Sequence, residues 1–169
     1  MNVLVVDGYN MIGDWDELKR LKDKDLAQAR DRLIEWMADY QAYTGYRVLI
    51  VFDAYEVRGL QHNLKTYEVE IIFTKEKETA DECIEKLVKS LKNVKNQVYV
   101  ATSDYAEQRT VFGRGALRKS ARELYIELKN IEREIGLEIE EHAKSQFQPK
   151  IPLPPHVRLA FEKMRRGLE

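Results

Sequence analysis

Three short apolar runs in this chain are each followed at once or within three residues by an aspartate. Val3 to Val6 stops at Asp7, Val48 to Phe52 stops at Asp53, and Val98 to Ala101 is followed by Thr102, Ser103 and Asp104. An unbroken apolar run of this length, with no polar alternation, reads as a strand buried on both faces. Such strands belong in a parallel sheet covered by helices. The segments between them supply those helices. Leu26, Ala29, Leu33, Met37 and Tyr40 recur at helical spacing between Asp25 and Tyr43, and Thr44-Gly45 closes that stretch with a residue suited to a left-handed cap. Thr79 and Glu82 form a capping-box pair ahead of Ile84, Leu87, Val88 and Leu91.

The remaining segments fit the same alternation. Val69 to Thr74 reads as a further strand, Tyr105 to Val111 as a short helix, and Ala116 to Ile135 as a long one with Leu117, Ala121, Leu124, Leu128 and Ile131 inward. Gly8 to Trp15 and Gly113-Arg114-Gly115 read as loops. Strands alternating with helices predict an α/β fold: three layers, a mainly parallel central sheet with helices on both faces. Ser145 to Pro155 is proline-rich and reads as a linker or surface arm, with a last helix from His156 to Arg166. The expected organisation is a globular domain over residues 1–143 and a basic arm with a short helix over 144–169.

Composition limits the function classes. A chain of 169 residues, 44% hydrophobic and 34% charged, is neither disordered nor membrane-spanning. A domain of this size buries about 70% of the surface its unfolded chain exposes and needs no covalent staple. Cys83 is the one cysteine, so no intrachain disulfide forms. The N-terminus has neither the basic start nor the long apolar run of a signal peptide. The expectation is a cytoplasmic protein without a membrane partner, and a monomer. His62, His142 and His156 lack zinc spacing, and no Ser-His-Asp arrangement stands out.

Net charge is -1, so any nucleic-acid affinity must come from local patches. Two exist. Arg109, Arg114, Arg118, Lys119 and Arg122 form one; on a helix, Arg118 and Arg122 would share a face. Lys144, Lys150, Arg158, Lys163, Arg165 and Arg166 form the other, against one acid, Glu162. Tyr9, Trp15 and Tyr105 stand near the strand ends, where aromatic rings stack on bases or pack into the rim.

In open α/β sheets the ligand crevice lies at the carboxyl ends of the strands. Asp7, Asp53 and Asp104 fall there, and Asp81 falls in the first turn of a helix that follows a strand. A lone aspartate at such a place is ordinarily a turn residue or a helix cap. Several in one crevice repel unless a cation is present. Mg²⁺ or Mn²⁺ suits oxygen ligands of this kind and binds through a few carboxylates, waters and substrate phosphate. Asn10 is placed to orient a water or a phosphate oxygen, or to bond its own backbone. Thr102 and Ser103 have the same two options.

Val5-Val6-Asp7-Gly8-Tyr9-Asn10 resembles the opening motif of NYN domains, a branch of the PIN-like nuclease superfamily. Thr79-Ala80-Asp81-Glu82 and Thr102-Ser103-Asp104 fall where that family places its later acids. Over about residues 1–140 the order of segments looks like the bacterial YacP-like group, which is associated with ribosome-dependent cleavage of messenger RNA in the A site. The resemblance implies a metal-dependent endoribonuclease with Asp7, Asn10, Asp81 and Asp104 in the active site, Asp7, Asp81 and Asp104 as metal ligands, and mRNA and the ribosome as partners. Asp53 follows from its strand position, and Glu78 and Glu82 are nearby substitutes. Arg114, Arg118, Lys119, Arg122, Lys150, Arg158, Lys163, Arg165 and Arg166 are the candidates for RNA and ribosome contact. Two alternatives remain at this point: a catalytically silent RNA- or ribosome-binding module, and a receiver-type phosphoacceptor domain. A receiver would want two adjacent acids after the first strand, where this chain has Asp7 and Gly8. A dehalogenase-like phosphatase would want an acid where Tyr9 stands, and a dinucleotide binder a Gly-x-Gly-x-x-Gly turn that is absent.

Overall fold

The computed structural model describes residues 1–54, 68–146 and 155–165. It holds a five-stranded sheet in the order β3-β2-β1-β4-β5, with β1 Asn2–Asp7, β2 Arg47–Phe52, β3 Glu70–Phe73, β4 Gln97–Ala101 and β5 Leu117–Lys119. Every neighbouring pair is parallel. The four runs read as strands all pair, and the parallel α/β architecture follows from their doubly buried character. Helices α1 Gly8–Asp14, α2 Asp16–Lys24 and α3 Leu26–Thr44 join β1 to β2. Helix α4 Ala80–Leu91 joins β3 to β4, α5 Tyr105–Gly113 joins β4 to β5, and α6 Ala121–Gln146 and α7 Pro155–Arg165 complete the chain.

Side chains alternate across a strand, so the two faces separate by parity. Val3, Val5, Leu49, Val51, Val98 and Val100 pack with Cys83, Ile84 and Val88 of α4 and Val111 of α5. Leu4, Val6, Val48, Ile50 and Phe52 face the other way and are also fully buried. Helices α1 and α3 pack on β2. Trp15, at the end of α1, donates its indole N–H to the Ala121 carbonyl at 2.9 Å and packs on Trp36 and Tyr125. Trp15 is thereby core, not a base-stacking ring. The chain divides into compact units Met1–Ile131 and Glu132–Glu169, and residue 143 lies inside α6.

Local rules account for the ends of the well-formed helices. Asp25 caps α3 by accepting from the Ala27 N–H at 3.0 Å, and Gly45 closes it at φ 76°. Thr79 caps α4 by accepting from the Glu82 N–H at 3.2 Å. Two expected boundaries are corrected. Gly8 to Trp15 is mostly helix α1, not loop. The stretch from Ala116 does not begin a helix: Leu117–Lys119 pairs with β4 as a fifth strand, and α6 starts at Ala121. The Ser120 hydroxyl accepts from the Glu123 N–H at 3.1 Å, so Ser-x-x-Glu marks the true start. Arg118 and Arg122 therefore share no helix face. Most of the proline-rich segment, with Lys150, Arg166 and His62, lies outside the described residues.

Gly8 shows how tightly the strand β1 exit is packed. A Cβ there would run into the Phe52 ring, which is itself fully buried between Tyr9 and Phe73. Gly8→Ala is expected to destabilise the protein by about 1–3 kcal/mol through overpacking. Combined with Phe52→Leu it should cost less than the sum of the two single changes. Denaturant unfolding of the four proteins measures this, and strict additivity would contradict the clash.

Candidate active site

The strand order reverses between β1 and β4: the chain steps outward from β1 to β2 and β3, then crosses to β4 on the other side. In such sheets the loops leaving the two strands part at their carboxyl ends and open a crevice at this switch point. Asp7 ends β1 there, on the same parity as Val3 and Val5 and hence on the α4 side. It is 8% exposed. Its backbone forms the N-cap of α1, but its side chain makes no cap hydrogen bond. Asp53 follows β2, the neighbour of β1, and is half-buried. Asp81 stands in the first turn of α4, whose N-terminus follows β3 and so comes at the same carboxyl edge. Asp104 follows β4 and is exposed.

The loop that carries Asp104 is fixed from several sides. The Asn10 carboxamide oxygen accepts from both the backbone N–H and the hydroxyl of Ser103, each at 2.7 Å. That bridge joins α1 to the loop after β4, across the switch point. Buried Thr102 accepts from the Asp104 N–H at 3.1 Å through its hydroxyl and from the Gln108 side-chain amide at 2.8 Å through its carbonyl. Asp104 in turn accepts from the Ala106 N–H at 2.9 Å and so caps α5. A carboxylate offers about four acceptor sites, so capping and ion binding are compatible. On the β2 side, the Thr74 hydroxyl accepts from the Ala54 N–H at 2.9 Å and holds the turn that carries Asp53. Asn10 thus positions Ser103, a partner 93 residues away in sequence that its place in the motif does not reveal.

Among the described residues, no three His, Cys, Asp or Glu side chains are gathered closely enough to hold a metal by themselves. The donors at the crevice are carboxylate and carboxamide oxygens. That set suits a hard cation such as Mg²⁺, which keeps several waters and binds through one or two carboxylates plus substrate phosphate. Asp7, Asp81 and Asp104 are the residues that could hold one. Glu78 is engaged elsewhere: Lys86 donates to it at 2.7 Å and holds its carboxyl below the usual range. Cys83, beside it, is buried, and burial first, then Glu78, pushes its thiol up to about 11. It stays a neutral packed residue.

The basic candidates separate. Arg114 pairs with Glu85 at 2.7 Å. Arg118 donates to the Gln108 side-chain carboxamide oxygen at 2.8 Å and so backs the Asp104 loop. Lys119 has a side chain only 11% exposed; it pairs with Glu127 at 2.8 Å and lies over the Tyr99 ring at 5.2 Å. Tyr40 donates to the same Glu127 at 2.9 Å, and burial followed by that carboxylate raises its phenol far above the usual value. Lys119 is thus an internal tie between β5, α3 and α6, in place of the expected phosphate contact. Arg122 is exposed on α6. Lys163 and Arg165 are exposed on α7, which also carries Arg158. Tyr9 accepts from the buried Arg30 guanidinium at 3.0 Å and packs on Phe52, so it is rim packing; Tyr105 is 80% exposed. Arg30 gave no signal in the sequence, since an arginine within an amphipathic helix reads as its solvent face.

Comparison with known proteins agrees with this arrangement. The family model described as the YacP-like NYN domain matches residues 4–166. A protein of Bacillus subtilis (strain 168) described as uncharacterized protein YacP is 54% identical over 167 residues, covering 99% of this chain and 98% of the relative. The crystal structure of Rae1 (YacP) from Bacillus subtilis superposes with a TM-score of 0.80 at 54% identity, over 99% of this chain and 96% of that one. A mutant of the same protein superposes with a TM-score of 0.76 at 52% identity, with the same coverage. The chain belongs to the YacP-like NYN domain family, whose fold is of the nuclease type.

Proposed function

We propose that this protein is a metal-dependent endoribonuclease that cuts messenger RNA in the cytoplasm, on translating ribosomes. The observation that carries the reading is Asp7, a carboxylate almost wholly buried at the carboxyl end of the central strand, with Asp53, Asp81 and Asp104 brought to the same edge by three other elements. The carboxyl ends of the strands at such a switch point are where open α/β sheets bind their ligands. A bound Mg²⁺ or Mn²⁺ would supply positive charge to the phosphoryl oxygens and lower the pKa of attacking water. Asp7, Asp81 and Asp104 would hold that ion together with water and the substrate phosphate. Asn10 and Thr102 keep Asp104 in register by fixing its loop. The receiver alternative does not fit the topology: the order here is 3-2-1-4-5, whereas receivers run 2-1-3-4-5. No described helix is long and apolar enough to cross a membrane.

Asp7→Asn removes a ligand charge with almost no change of volume. It is expected to reduce cleavage by more than about 100-fold, the scale for losing one charge-stabilising group of a transition state, and to leave the melting temperature unchanged or raised. Assays of an mRNA with and without translating ribosomes, with Mg²⁺ or EDTA, check this. Cleavage at the wild-type rate by Asp7→Asn would overturn the reading. Ribosome binding without cleavage by the wild type would instead favour a silent binding module.

The C-terminal helix is read as a docking element, because its charge is predominantly basic in a chain whose net charge is -1. Replacing Arg158, Lys163, Arg165 and Arg166 with alanine should weaken ribosome co-sedimentation and flatten its salt dependence, since the salt slope scales with the number of phosphates neutralised. Metal affinity should not change. Co-sedimentation unaltered across a salt series would remove the docking role.

A further inference from the structure

We propose that α5 carries the binding surface for a nucleotide beside the cleaved bond, with Tyr105 stacking on its base and Arg109 contacting its phosphate. The proposal deepens the nuclease reading and rests on it. A single exposed aromatic is ordinary on a protein surface; the placement of this one is not. Among the described residues the other exposed large aromatic is Tyr43, which lies at the C-terminal end of α3, just before β2, and so at the amino edge of the sheet. Tyr105 is 80% exposed and follows Asp104 directly, so their Cα atoms are about 3.8 Å apart. Any phosphate served by Asp104 has its neighbouring base within reach of that ring.

The other face of α5 is turned inward through Gln108 and Val111, both buried. Tyr105 and Arg109 are four residues apart, share the outward face and are both exposed. They are separated by about 6 Å along the helix, a span that one nucleotide of an extended strand covers. The backbone that carries the ring is held in place: Asp104 caps the helix, the Gln108 N–H reaches the Asp104 carbonyl at 2.9 Å, and Asn10 clamps Ser103. A tyrosine has only two side-chain torsions to order, so stacking on it costs little conformational entropy. Arg118, bonded to the Gln108 side chain, braces the inward face of α5. The ligand this chemistry fits is single-stranded RNA, since a duplex keeps its base faces covered.

The test is fluorescence anisotropy with a short labelled single-stranded RNA in EDTA, where nothing is cut. Tyr105→Ala should weaken binding about tenfold, within the range for removal of one base–aromatic stack, and Tyr105→Trp should stay near wild type. Arg109→Ala should weaken binding and lower the salt slope by about 0.7. Unlabelled duplex RNA should compete poorly. Thermal melts confirm that each variant is folded. Equal affinity of Tyr105→Ala and wild type overturns the proposal, as does a wild type that binds no single strand. The two readings fail separately: a wild type that cuts RNA while Tyr105→Ala binds normally removes only the α5 surface, and a wild type that binds through Tyr105 but never cuts removes only the nuclease activity.

Discussion

The two 2.7 Å hydrogen bonds from Ser103 to the Asn10 carboxamide tie together the two loops that the sheet topology drives apart. At a switch point the chain leaves β1 toward one side and β4 toward the other, and the parallel ladder between the two strands ends at Val6 and Ala101. Asn10 joins the two exits beyond that point with a single acceptor atom. Everything beyond it inherits that order: the Asp104 backbone, the cap on α5, and the Gln108 side chain that links Thr102 to Arg118. On the far side, Thr74 performs the matching task for the turn after β2. The turn after β2 and the loop after β4, which carry Asp53 and Asp104, are thus both bonded to neighbouring elements.

Much of this was legible in the residues because the strands are buried on both faces. Val3 to Val6 and Val48 to Phe52 can satisfy that burial only inside a parallel sheet, and the parallel sheet places Asp7 and Asp53 at one edge without further information. The helices with capping signals were equally legible: Thr79 and Gly45 sit where their chemistry demands. What stayed hidden depends on neighbours distant in sequence. Helix α1 spans seven residues with two glycines and no side-chain cap, and its apolar Met11 and Ile12 are helical only because the core receives them. Helix α2 is so polar that Leu18 is its one buried residue, so periodicity had little to report. Strand β5 has three residues, two of them exposed, and exists because β4 offers an open edge. The Ser120-x-x-Glu123 box was available as a correction and outweighs the apolar spacing that placed the helix start at Ala116.

The site followed the same division. The acids were legible from position and from resemblance to the NYN motif, whereas the roles of their neighbours were not. Asn10 holds a loop. Tyr9 packs on Phe52 and bonds a buried arginine. Lys119 lies among three tyrosines and Glu127, where its charge ties helices to the sheet edge. Lys119, one of the expected RNA contacts, is thus an internal partner, while Arg109, Arg118 and Arg122 are exposed. A net charge of -1 is consistent with that economy. Affinity for a polyanion must come from a few well-placed cations and from stacking.

On the proposed function, the carboxylates at the switch point would form a divalent-cation site organised around Asp7. A Mn²⁺ titration of the folded protein without RNA, followed by electron paramagnetic resonance, tests it without relying on catalysis or ribosomes. Saturable binding by the wild type is expected, with a drop in affinity greater than about tenfold in Asp7→Asn, since even groups that only support a metal's ligands are worth about 10- to 100-fold. Equal Mn²⁺ affinity in the two proteins, or none in the wild type, would contradict it.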